Sequence, residues 1–161
     1  IIGQIILNQG GASDYEGVIL TGTAYRMPGF MYSGDLNSKH KHLGGIGAEW
    51  LSRDVAVHEE WRDDPLTFVA DTLKLLGVVD AARLIGTPKQ LDQDIPILIM
   101  IGSDDTLGGE KSVTKLANSY LAQGSSDVEV VVYEGARHEI FNETNKDEVM
   151  NDLVGWLAGR L

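Results

Sequence analysis

The chain has 161 residues, 43% hydrophobic and 23% charged, which falls within the size range of one domain and is enough to bury a core. Thirteen basic against 24 acidic residues give a formal net charge of −11, the wrong sign for phosphate backbones or anionic lipid, so nucleic acid is not an expected partner. The lack of cysteine rules out disulfides and thiolate metal sites and suits a cytoplasmic protein. No apolar run approaches the roughly 18 residues needed to cross a bilayer. A signal peptide would be missing with the true amino terminus if that terminus lies upstream.

In chain order, IIGQIILN places Ile1, Ile2, Ile5 and Ile6 on one helical face, although so short an apolar run fits a strand equally well. Gly10 and Gly11 end it. GVILTGTA is a short apolar run closed by Thr and Gly and predicts a buried parallel strand with Val18, Ile19 and Leu20 in the core. From Tyr25 to Ser52 regular patterning dissolves into glycine, methionine, aromatics and a KHKH cluster. His40 and His42 share one side of an extended chain, but zinc needs three or four ligands and no further ligand pattern is nearby, so they read as a solvated loop. His58, beside Glu59 and Glu60, reads as the charged face of a helix. Arg53 has acids on both sides for pairing, and Asp64-Pro65 is a favourable helix start because proline at the first helical position loses no hydrogen bond. Phe68, Val69, Thr72, Leu73, Leu76 and Val79 then follow at helical spacing.

The most informative stretch runs over residues 96–143. Ile97 to Ile101 predicts a buried strand that stops at Gly102 and hands over to a polar turn carrying Asp104 and Asp105. Val113, Leu116, Ala117, Tyr120 and Leu121 recur at helical steps up to Gly124. Val128 to Tyr133 predicts a further strand, followed by Glu134, Gly135 and a turn with His138. An acid at one strand end and a histidine at the next is how an open parallel sheet gathers side chains in the crevice at its carboxyl edge. Asn145 with Glu148 resembles a capping box. Val149, Met150, Leu153, Val154 and Leu157 give the closing helix one apolar face.

GSDDTLGG and EGARHEIFNE resemble the acid and histidine segments of the α/β-hydrolase fold, in the branch of monoacylglycerol lipases, lysophospholipases and serine aminopeptidases. The likeness extends through GVILTGTA and EWLSRD to the last helix. It implies a parallel sheet flanked by helices, a cap insertion over about 25–66, Asp105 as catalytic acid and His138 as catalytic base. It also implies that Thr21, Gly22 and Thr23 border the active-site mouth, and that Met27, Phe30, Met31 and Tyr32 belong to a mobile cap; from the residues themselves these four fit a surface loop equally well. The EWLSRD segment reads as structural.

The fold's G-x-S-x-G elbow, which carries the nucleophile, is absent: no serine, from Ser13 to Ser126, is flanked by glycine on both sides at two positions. With Ile1 to Asn8 standing where the helix after the elbow belongs, the chain reads as the carboxyl-terminal half of a hydrolase. Three functions are open on these residues. The first is an esterase or lipase cleaving a small acyl ester, monoacylglycerol or lysophospholipid, with its serine in an amino-terminal half. The second is a dehalogenase or epoxide hydrolase with an Asp nucleophile, and the third is a binding module that lost its nucleophile. No pattern in the chain asks for a metal or other cofactor.

Overall fold

The computed structural model describes residues 1–32, 34–68 and 72–160. Three parallel strands, β1 (Val18–Thr21), β2 (Ile97–Gly102) and β3 (Val128–Tyr133), form a sheet in the order β1-β2-β3. Val18 pairs with Ile97 and Ile97 with Val128, so the three carboxyl ends leave the sheet on the same edge. This is the α/β architecture expected, and strands β2 and β3 fall where their sequence runs placed them.

Every residue of β2 is buried, because helices cover both of its faces. On one face Ile97, Ile99 and Ile101 pack with Leu20 and with Val113, Leu116, Ala117 and Tyr120 of α4 (Gly109–Ala122). On the other, Leu98 and Met100 pack with Tyr133, Ile140 and with Val149 and Trp156 of α5 (Lys146–Ala158). The uninterrupted apolar run of β2 is therefore the signature of a central strand buried on two sides. Of the β1 positions expected in the core, Leu20 is buried while Val18 and Ile19 are half-buried, since β1 has a sheet neighbour on one side among the described residues.

The first run forms a helix, α1 (Ile2–Asn8), but with a different inward face: Gln4 and Leu7 are buried and Ile1 and Ile2 exposed. Gln4 turns inward because it has polar partners there. Its Nε2 donates to Thr23 Oγ1 (2.7 Å) and to the Ala24 carbonyl (2.9 Å), and its Oε1 accepts from buried Arg26 Nε (3.0 Å). Arg26 also donates to the carbonyls of Arg83 and Leu84, and burial lowers its pKa. Thr23, expected at the mouth, is thus part of this internal network.

Four other expectations are corrected. Asp64-Pro65 does not start a helix; Asp64 ends α2 (Val55–Asp63), whose start is capped by Asp54 Oδ1 accepting from Ala56 N at 3.0 Å. The helix expected over the following apolar run appears as α3 (Thr72–Ala82), broken at Gly77 (φ 72°), with Leu76 and Val79 exposed along with Phe68. Val69 lies outside the described residues, as do the side chains of Thr72 and Leu73. In α5 the buried positions are Val149 and Trp156, with Leu153 and Leu157 beside them, while Met150 and Val154 are exposed. Asn145 does not cap the helix backbone with its side chain: its Nδ2 donates to Glu148 Oε2 at 2.8 Å. No helix among the described residues is long and apolar enough to cross a membrane.

One glycine fixes the separation of the two loops that matter. A Cβ on Gly102 would lie 2.0 Å from the Ala136 carbonyl oxygen and 2.4 Å from that of Arg137, and both obstacles are backbone. We expect Gly102→Ala to lower stability by more than about 3 kcal/mol in urea unfolding, beyond the ~1–3 kcal/mol usual for an added methyl in a packed core.

Candidate active site

The ends of β2 and β3 are tied together by main-chain hydrogen bonds from Ser103 N to the Tyr133 carbonyl (2.9 Å) and from Asp104 N to the Ala136 carbonyl (2.9 Å). Ser103 Oγ accepts from Gly135 N at 2.8 Å. These bonds set the acid turn against the histidine loop.

Across that junction His138 Nδ1 lies 3.0 Å from Asp105 Oδ2. Asp105 is 4% exposed, and its other oxygen accepts from Leu107 N at 2.7 Å. The carboxylate is therefore fixed by its own turn before it meets the imidazole. Hydrogen bonding to Nδ1 fixes the neutral ring in the tautomer that carries its proton there and leaves Nε2 to exchange a proton. Asp104, by contrast, points to the partly exposed side of the turn, paired with Lys39 and 3.8 Å from His40 Nδ1. The two adjacent aspartates thus face different partners.

The third strand end closes the site. Gly22, just after β1, has φ 49° and sits so close that a Cβ there would be 2.9 Å from His138 Cε1. Thr21, Gly22, His138, Glu139, Ile140, Phe141 and Asn142 line a cavity of about 240 Å³. Thr21 and Gly22, expected near the mouth, line this cavity beside His138.

The segment around EWLSRD does more at this site than its composition suggested. Trp50 and Leu51 offer their carbonyls to the main-chain N–H groups of His138 (3.3 Å) and Glu139 (2.7 Å). Fully buried Glu143 accepts from Arg53 Nε (2.8 Å), Arg53 N (3.1 Å), Arg137 N (2.7 Å) and Thr144 N (3.0 Å). Arg53 therefore finds its acid far along the chain rather than in the flanking acids. His58 is also corrected: it is buried, with Nε2 2.6 Å from the Ser52 carbonyl, because Ser52 and α2 fold back on each other. Sequence reading missed Glu143 and Trp50. Glu143 stands among polar neighbours, between Asn142 and Thr144, so nothing local set it apart, and its partner Arg53 lies far away in the chain.

His40 departs from the solvated-loop reading as well, whereas His42 is exposed. His40 is 2% exposed beneath the acid turn, with Nε2 3.4 Å from Thr106 Oγ1. Met27, Phe30 and Met31 of the same region are half-buried and Tyr32 is exposed.

A parallel sheet between helices, with an acid and a histidine bonded across adjacent strand ends, defines the α/β-hydrolase class. Solved structures of the class agree. Monoacylglycerol lipase from Paleococcus ferrophilus matches with a TM-score of 0.66 at 19% identity, over 99% of this chain and 65% of that one. A soluble variant of monoglyceride lipase from Saccharomyces cerevisiae, in complex with a substrate analog, gives 0.67 at 23% identity, over 99% and 62%. Within the class, the family model described as Serine aminopeptidase, S33 (Hydrolase_4) matches residues 4–145, and the chain belongs to that family.

Among curated relatives, monoacylglycerol lipase of Mycolicibacterium smegmatis is 30% identical over 125 residues, 72% of this chain and 41% of that protein. Monoglyceride lipase of Saccharomyces cerevisiae is 40% identical over 72 residues, 43% of this chain and 22% of that protein. The chain thus spans less than half the length of these two relatives.

Burial disfavours charge on His40 and holds its pKa below the usual 6.5, an effect that Arg137 reinforces and Asp104 opposes. A histidine with a lowered folded pKa contributes stability above its unfolded value and loses it as pH falls through that value towards the folded one. We therefore expect the melting temperature to fall between about pH 7 and about pH 5, and to fall less steeply in His40→Asn, measured by thermal unfolding across that range.

Proposed function

We propose that this chain carries the acid and base of a Ser-His-Asp hydrolase that cleaves carboxylic esters of lipid type, monoacylglycerol or lysophospholipid. The nucleophile and oxyanion donors come from an amino-terminal half of the same protein. The single observation that carries this reading is the 3.0 Å bond between His138 Nδ1 and the buried carboxylate of Asp105 at adjacent strand ends. The names of the relatives, a monoglyceride lipase and a monoacylglycerol lipase, support the monoacylglycerol reading of that substrate class.

In this reading Asp105 keeps the imidazole oriented and stabilises it when it becomes charged. His138 Nε2 takes the proton of the serine hydroxyl as that oxygen attacks the ester carbonyl. It then returns the proton to the departing alcohol, and a water repeats the cycle on the acyl-enzyme. The cavity beside Thr21, Gly22 and His138 is where the serine and the ester carbonyl would meet. The segment over about 25–66 is the cap, and its half-buried Met27, Phe30 and Met31 are suited to an acyl chain.

With its amino-terminal half, the protein should hydrolyse short p-nitrophenyl esters and monoacylglycerol. Asp105→Asn and His138→Ala should each lower kcat by about 10³-fold or more, while Asp104→Asn leaves it within a few-fold. Unchanged turnover in the first two variants would retire the assignment; a large loss confined to Asp104→Asn would move the acid by one position.

The 161 residues alone should neither hydrolyse these esters nor react with a fluorophosphonate, since a histidine and its carboxylate have no elbow serine to activate. Mass spectrometry finding the adduct on any serine of this chain would mean that a nucleophile lies within it.

A further inference from the structure

His138 is held by more than its carboxylate. The indole of Trp50 lies over its imidazole, with ring centroids 4.9 Å apart and the planes inclined by 38°. Trp50 is itself secured on both sides of its main chain. Its N–H donates to Oδ1 of buried Asn37 at 3.0 Å, and its carbonyl accepts from His138 N. Asn37 in turn donates to Oε2 of buried Glu49 at 2.6 Å. The imidazole therefore sits in a slot: Asp105 at its Nδ1 edge, Gly22 against its Cε1 corner and the indole against its face.

We propose that Trp50 is a positioning residue for His138, holding the imidazole in line for proton transfer and stabilising the imidazolium formed when it accepts the proton. A cation within about 6 Å of an indole face is attracted by the negative face of the ring, more so where water is partly excluded. Trp50 is half-buried, so that attraction is not fully screened. Of the charged residues flanking it in the chain, Arg137 turns its guanidinium to the carbonyls of Glu49 and Ser52, and the Glu139 carboxylate accepts from Asn142 Nδ2. Trp50 meets His138 with both its carbonyl and its indole, so its effect on the reaction passes through that residue.

This inference rests on His138 acting as the base, and the experiment separates the two. In the protein with its amino-terminal half, Trp50→Leu should lower kcat by on the order of tenfold with KM nearly unchanged, whereas Trp50→Phe, which keeps an aromatic face, should recover most of the loss. In a His138→Ala background, Trp50→Leu should cost nothing further, because residues acting as one unit are not additive. Thermal unfolding of each variant, and the KM values, identify a fold defect. If His138→Ala leaves activity intact, the assignment of the base fails. If His138→Ala removes activity but Trp50→Leu has no effect, or lowers residual activity equally in both backgrounds, the assignment of the base stands and the role of Trp50 is overturned.

Discussion

The close approach of two loops at Gly102 is the constraint on which this site depends. With only a hydrogen in place of a side chain, β2 can end with its backbone against the carbonyls of Ala136 and Arg137. Main-chain bonds from Ser103 and Asp104 then lock the acid turn to the histidine loop. A bond of 3.0 Å between two residues in the turns after different strands needs loops placed to a few tenths of an ångström. Main-chain bonding on both sides of a glycine provides that placement more rigidly than side-chain packing would, because it has no rotamers to lose.

The second support is polar and long-range. Glu143 is a carboxylate without solvent exposure, and such a group is tolerated where it is both paired and fully hydrogen-bonded. Four donors, two from Arg53 and one each from Arg137 and Thr144, meet that requirement. The consequence is that the segment from Trp50 to Arg53 cannot leave the histidine loop without stranding a buried charge. The same segment carries the indole over His138 and, with Glu49 before it, the carbonyls that receive Arg137, so one network fixes backbone, charge and ring together.

Burial also separates two aspartates that are neighbours in the chain. Asp105 turns inward to Leu107 N and His138, and Asp104 outward to Lys39 and the edge of His40. A turn at the end of a buried strand points successive side chains to opposite sides, so one carboxylate enters the crevice and the other does not.

Strands β2 and β3, helix α4 and the acid and histidine beyond the strand ends were legible in the amino-acid order alone. Each of these is a local pattern: a run of β-branched residues closed by glycine, a helical period, a polar turn. The likeness of GSDDTLGG and EGARHEIFNE to hydrolase segments named Asp105 and His138 before their side chains could be seen to meet. The fate of polar residues whose partners are far away in the chain was settled by folding. Gln4 and Arg26 are buried because each satisfies the other, Arg53 pairs with Glu143 rather than with adjacent acids, and His40 and His58 are covered by segments that fold over them. The same holds for helices whose apolar residues exceed the core available, as at Leu76, Val79, Met150 and Val154. Periodicity reports which residues could face a core, whereas hydrogen-bond satisfaction and the number of packed neighbours, which decide which ones do, exist only once distant parts of the chain have met.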